Sequence, residues 1–433
     1  MQTADDTAFV QFMQEHAPGI PGTAEQWLLG KRQLRGLRLH SVISTTPDGA
    51  ELWLFDPHID SYVLATAKLQ ASDPSKVASL MLQPTDRLPP GAEPPPKLHG
   101  PALINAARER AQYYVERGDF SGAILIAKGD QVLFEEAYGF ADREARKPNE
   151  LDTQFRFGSM GKMFAIVAIM QLVENGKVDL DAPIGRYLAN YPNQDIAKKV
   201  TVANLLTHTG GTGDIFGPEF QTNRTKLRDL RDYVDLYGAR PPQFDPGERY
   251  AYSNYGFILL GRIVEEVSGQ TYDEYLEQNI FGPADLRSTG HLPESTTLPR
   301  RAVAYTGFGS NLQRADGTLP VRGTSAGGGY STVRDLHRFI DAVVSYRLLK
   351  PDTLQTLISE GITTDDGTFH PYDFSGSVQG TGRFVGHGGG APGMNGDLQH
   401  FLASGYTVIV LANRDPNVAT YISRFVARRL PHE

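Results

Sequence analysis

The chain has 433 residues, of which 40% are hydrophobic and 21% are charged, and its formal net charge is −8. This length and composition indicate a globular protein with room for two domains, and the acidic balance argues against binding to nucleic acid or to an anionic membrane surface. The chain has no cysteine, which excludes disulfides, thiolate nucleophiles and cysteine-based metal sites.

No apolar run reaches the roughly 18 residues that a membrane span requires. The opening residues, MQTADDTAF, contain no signal peptide. They are typical of an exported bacterial chain after cleavage, with a start methionine added. We therefore expect a periplasmic or secreted protein, with the cytoplasm as the alternative.

Residues 1–85 are predicted to form a small α+β domain in which no catalytic motif is visible. Apolar residues recur at helical spacing over residues 7–16, and three later segments have the pattern of strands: 36–45, 50–56 and 61–69. Residues 86–101, DRLPPGAEPPPKLHGP, are rich in proline and lack periodicity, which is typical of an extended linker.

The region from 102 to 433 is predicted to form the main domain. It opens with a helix over residues 104–117, followed by strands over 122–130 and 131–139 that meet at a Gly-Asp turn.

The stretch RFGSMGKMFAIVAIMQL places Ser159 three residues before Lys162, at the start of an apolar run. Residues 163–170 are all apolar, and a helix that is apolar all round is buried. Ser159 would then lie at the N-terminus of a core helix, on the same face as Lys162, where backbone N–H groups favour negative charge. A desolvated lysine can lose its charge and accept the serine proton. The alternative, which suits an isolated S-x-x-K, is a capping serine beside a snorkelling lysine.

A second candidate nucleophile lies in GTSAG, residues 323–327, which fits the G-x-S-x-G pattern of α/β-hydrolases. That pattern requires a strand directly before the serine and a helix directly after it. Here LPVRG is a poor strand, and the next helix begins only near Thr332. Ser325 is therefore predicted to lie in a glycine-rich loop and not to react.

Two further motifs follow Ser159 along the chain. YSN, at residues 252–254, precedes another apolar helix, and HGG, at residues 387–389, precedes the last predicted hairpin. That hairpin has strands over 396–403 and 406–414, and a final helix spans 418–430. Because strands lie at both ends of this domain and helices between them, we predict one sheet assembled from the two ends.

In this order, the SMGK, YSN and HGG motifs resemble the S-x-x-K, Y-x-N and K/H-x-G motifs of the serine β-lactamase and penicillin-binding-protein family. LLTHTGG (205–211) and AGGGYSTVRDLHRF (326–339) are similar to that family too, and the resemblance covers residues 102–433. It is nearest to class C β-lactamases, family VIII carboxylesterases and the group of D-aminopeptidases and D-Ala-D-Ala carboxypeptidases. It implies a β-lactamase/transpeptidase-like α+β fold, in which helices and a helical region flank an antiparallel sheet.

The resemblance implies a role for each motif residue. Ser159 would attack the acyl carbon, while Lys162 and Tyr252 would hold and shuttle its proton, Tyr252 as a phenolate beside the lysine ammonium. Asn254 would bond Lys162 and the substrate. The backbone N–H groups of Ser159 and Gly390 would form the oxyanion hole.

His387 and Gly389 would belong to the strand against which the substrate lies. Class C β-lactamases have lysine at the position of His387, whereas esterases and peptidases of the family often have histidine or tryptophan. We therefore do not expect efficient β-lactam hydrolysis, and a neutral imidazole facing the pocket would favour substrates without a carboxylate beside the scissile bond. The alternative is that Tyr252 is a core tyrosine and His387 a structural histidine. The resemblance includes no Glu-containing deacylation motif of the class A kind, so deacylation would depend on the Tyr252 region.

We therefore expect a serine hydrolase that forms an acyl-enzyme on Ser159 and hydrolyses carboxylic esters or small amides and peptides. The 11 histidines show no metal-ligand spacing, and neither a metal nor a cofactor is expected. β-Lactamase or D-stereospecific peptidase activity is the alternative within this class. A penicillin-recognising sensor whose acyl-enzyme persists is an alternative of a different class. The expected partner is a small ester, amide or peptide; the sequence leaves the natural substrate and the oligomeric state open.

Overall fold

The structure is a computed structural model that describes residues 6–33, 36–85, 87–307 and 311–431. The chain divides into two units. The first unit comprises Met1–Pro96 with Val378–Gly380, and the second comprises Lys97–Ser377 with Thr381–Glu433. The boundary falls inside the predicted linker. Within the described ranges, no helix is long and apolar enough to cross a membrane. Export stays a prediction.

The first unit contains two helices followed by an antiparallel sheet of four strands in sequence order. These elements are α1 (Asp6–His16), α2 (Ala24–Gln33), β1 (Arg38–Thr46), β2 (Gly49–Asp56), β3 (Ser61–Gln70) and β4 (Asp73–Thr85). Phe9 and Met13 of α1 are buried in a small core that includes Val77 of β4. The structure confirms the predicted helix and three strands. It adds α2 and β4, which we did not predict, because the Asp-Pro-Ser start of β4 is typical of a turn.

The second unit is built on a six-stranded sheet. Its strands, in spatial order, are β15 (Ser375–Val378), β16 (Gly382–Ala391), β17 (Met394–Phe401), β18 (Tyr406–Ala412), β5 (Gly122–Lys128) and β6 (Gln131–Tyr138). Near the middle of the sheet β18 pairs antiparallel with β5, so that Tyr406 lies opposite Lys128 and Ala412 opposite Gly122. This pairing confirms that the sheet is assembled from the two ends of the predicted domain.

The other strands of the second unit form short two-stranded ribbons. These are β7 (Phe140–Asp142) with β8 (Lys147–Pro148), β9 (Phe155–Arg156) with β12 (Tyr330–Ser331), β10 (Tyr305–Thr306) with β11 (Gln313–Arg314), and β13 (Gly361–Thr363) with β14 (Phe369–Pro371).

Some helices of the second unit pack on the sheet, and most of them lie in the part of the chain between its N-terminal and C-terminal strands. They are α3 (Gly100–Glu116), α4 (Lys162–Glu174), α5 (Gln194–Lys199), α6 (Val202–Leu206), α7 (Pro218–Asn223), α8 (Leu230–Tyr237), α9 (Asn254–Ser268), α10 (Tyr272–Leu276), α11 (Val333–Val344), α12 (Pro351–Ser359) and α13 (Val418–Ala427). Helix α13 packs on β17, β18 and α3, while α11 packs on β5 and β18. Every residue of β17 and β18 is buried, so the centre of the sheet is covered on both faces.

Three elements position the candidate site: the start of α4, the start of α9 and the strand β16. A 3₁₀ turn, Gly158–Gly161, leads into α4 and packs against β16. Residues 163–170 of α4 are fully buried, as the apolar run predicted. Helix α9 packs against α4, which brings its N-terminus to the same place.

Candidate active site

Ser159 lies in the 3₁₀ turn that precedes α4, three residues before the helix begins at Lys162. The Lys162 backbone N–H donates to the Ser159 carbonyl and ties the turn to the helix. Gly158 has a φ of 57°, a left-handed conformation that glycine adopts without strain. This tight turn leaves Ser159 partly exposed while its neighbours on both sides are buried.

Lys162 is fully buried beneath this turn. Its Nζ donates to Asn254 Oδ1 at 2.7 Å and to the Ala326 carbonyl at 2.7 Å. Burial lowers the pKa of Lys162 to about 8, although the carboxylates of Asp373 and Asp214 oppose the change. A neutral amine has two N–H groups and one lone pair. Because two acceptors already take the two N–H groups, the lone pair of neutral Lys162 is free to accept a proton.

Among the described residues, Tyr252 makes the one side-chain hydrogen bond to the candidate nucleophile: its hydroxyl donates to Ser159 Oγ at 2.9 Å. The Lys162 Nζ lies 4.8 Å from the centroid of the tyrosine ring. Burial of the phenol and the nearby Asp373 carboxylate raise the pKa of Tyr252, although the hydrogen bond to Ser159 opposes this. The raised pKa favours a neutral phenol, with its proton beside Ser159, over the expected phenolate.

Asn254 is held in one orientation by Asp214. The Asp214 carboxylate accepts the backbone N–H of Asn254 at 3.0 Å and its side-chain Nδ2 at 3.2 Å. The amide oxygen of Asn254 is thereby directed at Lys162, as the resemblance implied. Ser253 caps α9 by accepting the Gly256 N–H at 2.8 Å, which fixes the start of the helix.

His387 shares a carboxylate with a second histidine. Its Nε2 lies 2.8 Å from Asp373 Oδ2, and His208 Nε2 lies 2.9 Å from the same oxygen. The Ser253 N–H donates to His208 Nδ1 at 3.1 Å, so Nε2 carries the proton of a neutral His208. Burial lowers the pKa of His208 against the pull of Asp373.

The surroundings of the second imidazole, by contrast, favour its charged form. Both ring nitrogens of His387 face acceptors, the Asp373 carboxylate and the Gly388 carbonyl, which suits an imidazolium with two N–H donors. Burial opposes this charge, but Asp373 outweighs it and raises the pKa of His387. Burial likewise opposes ionisation of Asp373, yet the two histidines hold its pKa well below the usual value. The His387 ring contacts Asp373, which opposes the neutral form that we expected; the preference for substrates without a carboxylate stays a prediction.

Gly389 and Gly390 lie where β16 passes the Ser159 turn. A Cβ on Gly389 would fall 2.0 Å from the Phe157 carbonyl oxygen, so this position has no room for a side chain. A Cβ on Gly158 would fall 3.1 Å from the Gly390 amide nitrogen, which shows how closely that nitrogen approaches the turn. Gly390 is exposed near the end of β16. The strand thus presents backbone polar groups beside Ser159.

Ser325 is fully buried, and among the described residues its Oγ has no hydrogen-bond partner. It packs so tightly against α9 that a Cβ on Gly261 would lie 2.3 Å from its Oγ. Helix α11 begins eight residues later, at Val333. The prediction that Ser325 lies in a loop and is not a nucleophile elbow is confirmed. The loop contributes through its backbone, because the Ala326 carbonyl binds Lys162.

A cavity of about 450 Å³ opens beside Asp214. It is lined by residues 212–219 and by Arg240, Pro241 and Gln243. Asp214 connects this cavity to Asn254, and none of Ser159, Lys162, Tyr252 or Asn254 lines it.

Three residues of the cluster were missed in the sequence: His208, Asp214 and Asp373. His208 lies in LLTHTGG, which we used only as part of the resemblance, and Asp214 follows six residues later. His208 lies inside this segment and Asp214 lies three residues after it. Titratable residues in or next to a motif that resembles the family could therefore have been examined as site candidates. Asp373 lies in no recognisable motif.

Comparisons with known proteins agree with this geometry. A family model described as Beta-lactamase matches residues 107–432. A penicillin binding protein from Bacillus halodurans superposes with a TM-score of 0.63 at 31% identity, over 74% of this chain and 97% of that one. A D-stereospecific amidohydrolase from Streptomyces sp. superposes with a TM-score of 0.61 at 25% identity, over 72% and 94% of the two chains. Esterase EstB of Burkholderia gladioli is 32% identical over 203 residues, which are 44% of this chain and 51% of the esterase. The matched region contains every residue of the site described above.

Proposed function

Because the chain belongs to the β-lactamase family, we propose that it is a serine hydrolase that forms an acyl-enzyme on Ser159. The relatives described above include an esterase and an amidohydrolase, which supports esters and small amides as the substrate class. The observation that carries the proposal is the buried Lys162, whose pKa of about 8 and two occupied N–H groups leave a lone pair for proton transfer.

Acylation begins when Ser159 Oγ attacks the substrate carbonyl carbon. The hydroxyl proton passes into the Tyr252–Lys162 pair, where Lys162 supplies the base and the Tyr252 hydroxyl connects it with Ser159. The backbone N–H groups of Ser159 and Gly390 hold the negative oxygen of the tetrahedral intermediate. When the bond from the carbon to the leaving oxygen or nitrogen breaks, Tyr252 donates its proton to that atom and recovers one from Lys162.

Deacylation follows the same path in reverse, with water in place of the leaving group. Water enters where the alcohol or amine departed and gives its proton to the Tyr252–Lys162 pair. The carbon–Oγ bond then breaks and Ser159 regains its proton. Asn254 holds Lys162 throughout and bonds the acyl part of the substrate, which occupies the cavity beside Asp214.

An uncharged leaving group fits this site better than one with a carboxylate. We had predicted the same preference from a neutral His387. His387 is paired with the Asp373 carboxylate, so the two side chains together carry no net positive charge. Asp373 would repel a substrate carboxylate beside the scissile bond and so offset any attraction from His387.

Turnover and covalent labelling test the proposal together. Ser159→Ala should lower the rate of p-nitrophenyl acetate hydrolysis at least about 10³-fold, the size of effect expected for a covalent nucleophile. Ser325→Ala should retain most of the activity. A fluorophosphonate adduct should map to Ser159 by mass spectrometry, and an adduct on Ser325 would overturn the assignment. A burst of p-nitrophenol without turnover, seen also with nitrocefin, would identify a penicillin-recognising sensor instead of a hydrolase.

A further inference from the structure

Tyr250 presents an exposed aromatic face next to the catalytic residues. It is 45% exposed, and its ring stacks on the imidazole of His370 with centroids 5.0 Å apart and planes at 19°. The Tyr250 ring also lies 5.7 Å from His208, which in turn lies 4.4 Å from Tyr252. We call the stacked pair of Tyr250 and His370 the aromatic shelf.

The shelf lies on a definite side of Ser159. Tyr250 and Tyr252 are two residues apart before α9, and both rings contact His208, which places the two rings around the same imidazole. In the mechanism above, Tyr252 protonates the leaving atom, which must lie within hydrogen-bond reach of its hydroxyl. A group attached to that atom extends past Tyr252 towards the shelf. The acyl part extends the other way, towards Asn254.

The charges around the shelf suit an uncharged group. Tyr250 is a neutral phenol, because burial of its hydroxyl and the nearby Asp373 raise its pKa to about 12. Asp373 itself is paired with His387, and His208 is neutral. No unpaired cation among these residues would hold a carboxylate. A flat or apolar group, in contrast, gains from stacking on an exposed ring pair.

We propose that the aromatic shelf of Tyr250 and His370 is the subsite for the leaving group, and that it takes an uncharged aromatic or apolar alcohol or amine. The inference rests on the proposed hydrolase function and adds the substrate class of one half of the scissile bond. It separates two recognition sites: an acyl site at the Asp214 cavity and a leaving-group site at the shelf.

Three esters of similar chemical reactivity test it: benzyl acetate carries an aromatic leaving group, ethyl phenylacetate an aromatic acyl group, and ethyl acetate neither. The readout is the ratio of kcat/KM for each aromatic ester to kcat/KM for ethyl acetate, which does not depend on the fraction of folded enzyme. Tyr250→Ala and His370→Gln should each lower the benzyl acetate ratio by about tenfold, the size that one aromatic contact contributes. The ethyl phenylacetate ratio should stay within about twofold.

Phe369→Ala is the matched control. Phe369 is 50% exposed and precedes His370 on β14, where alternation places it on the opposite face of the ribbon. Its replacement should leave both ratios unchanged. An unchanged benzyl ratio in Tyr250→Ala and His370→Gln would overturn the shelf, and so would a fall confined to ethyl phenylacetate. If the hydrolase proposal itself is wrong, the result differs from failure of the shelf proposal. The wild-type protein would then turn over none of the three esters, and fluorophosphonate would not label Ser159.

Discussion

Asp214 accepts two hydrogen bonds from Asn254, one from the backbone N–H at 3.0 Å and one from the side-chain amide at 3.2 Å. A carboxylate can only accept, so the amide nitrogen must face Asp214 and the amide oxygen must face Lys162. Asp214 therefore acts on the reaction through Asn254, and its negative charge also supports the ammonium form of Lys162. It is a positioning residue for the base.

We expect Asp214→Asn to shift the pH dependence of the reaction. If neutral Lys162 is the base, kcat/KM rises as pH passes its pKa of about 8. Removing a nearby anion makes the ammonium less stable, so the rising limb should move to lower pH. The maximal rate should fall by about tenfold, because the new amide no longer fixes Asn254. Glu219→Gln changes a carboxylate of α7 that lines the same cavity and pairs with Arg240, and it should leave the rising limb of the pH profile in place. A limb that stays in place in Asp214→Asn would show that Lys162 is not the titrating base.

Lys162 and Tyr252 should behave as one unit. Lys162→Ala and Tyr252→Phe each interrupt the same proton path, so each should reduce acylation nearly as far as Ser159→Ala does. The double variant should be little worse than either single one. Stopped-flow measurement of the acylation burst with p-nitrophenyl acetate checks this. Near-wild-type acylation in Tyr252→Phe would remove the phenol from the mechanism.

The local patterns of the sequence identified those residues whose chemistry depends on their near neighbours. Ser159 and Lys162 are three residues apart, and the apolar run after them predicted the burial that lowers the lysine pKa. His208 and Asp373 could not be found in this way. They lie 165 residues apart, and they meet because the chain returns to the end of α6 after the β13–β14 ribbon, where the Asp373 N–H donates to the Leu206 carbonyl. The raised pKa of His387 depends on Asp373, which the sequence alone did not place beside it.

The fold followed the same rule. Alternating apolar residues predicted the hairpins at both ends of the main domain, and the absence of other long strands predicted that they share a sheet. The pairing of β18 with β5 could therefore be predicted from the sequence. Strand β4 was not, because Pro74 near its start and Pro84 near its end are typical of loops, and only pairing with β3 shows the segment between them to be a strand.

Charge pairing at His387 can be tested by changing both partners. His387→Lys alone places a cation beside Asp373, so the pair stays neutral and the preference for uncharged substrates should remain. His387→Lys with Asp373→Asn leaves the cation unpaired. This double variant should raise kcat/KM for nitrocefin relative to a neutral ester by about tenfold, the size of one charge-assisted contact. Asp373→Asn alone is the control. An equal gain in His387→Lys alone would show that Asp373 does not neutralise this position.

Asp397 should limit the stability of the second unit at neutral pH. This carboxyl is buried on β17, where the Ser423 hydroxyl and the Gln399 amide donate to it, and burial raises its pKa to about 6. A carboxyl whose pKa is higher in the folded state binds its proton more tightly there. Stability is therefore greatest below the ordinary aspartate pKa, falls as the pH rises to about 6, and then stays level.

Asp397→Asn should remove this pH dependence and stabilise the protein at pH 7 by up to about 3 kcal/mol. Urea unfolding of both proteins at pH 5 and pH 7.5 is the measurement, and the difference between them should be larger at pH 7.5. A variant that is less stable at both pH values would show that the ionised carboxyl is a net stabilising group.

The two units should separate at a defined residue. Lys97 Nζ donates to Thr381 Oγ1 at 3.1 Å and to the Arg428 carbonyl at 3.2 Å, and the Leu98 N–H donates to the Arg429 carbonyl at 2.8 Å. A chain that starts at Pro94 keeps these bonds, and its Ser159 should react with fluorophosphonate as in the full chain. A chain that starts at Gly100 should be less stable by about 1–3 kcal/mol. A well-folded but unreactive Pro94 chain would show that residues 1–93 help to build the site.

Because β5 pairs with β18, the sheet can be completed only late in synthesis on the ribosome. The two strands are separated by about 280 residues, so at roughly 5–20 residues per second β5 waits on the order of 15–60 s for its neighbour. During that time the β5–β6 hairpin exists with an open, apolar edge, because Ala123–Ala127 have nothing to pair with on that side. Unpaired edges of this kind recruit other strands. The nascent chain must therefore be shielded until its last strands emerge, and the catalytic turn, which packs against β16, cannot be completed before then.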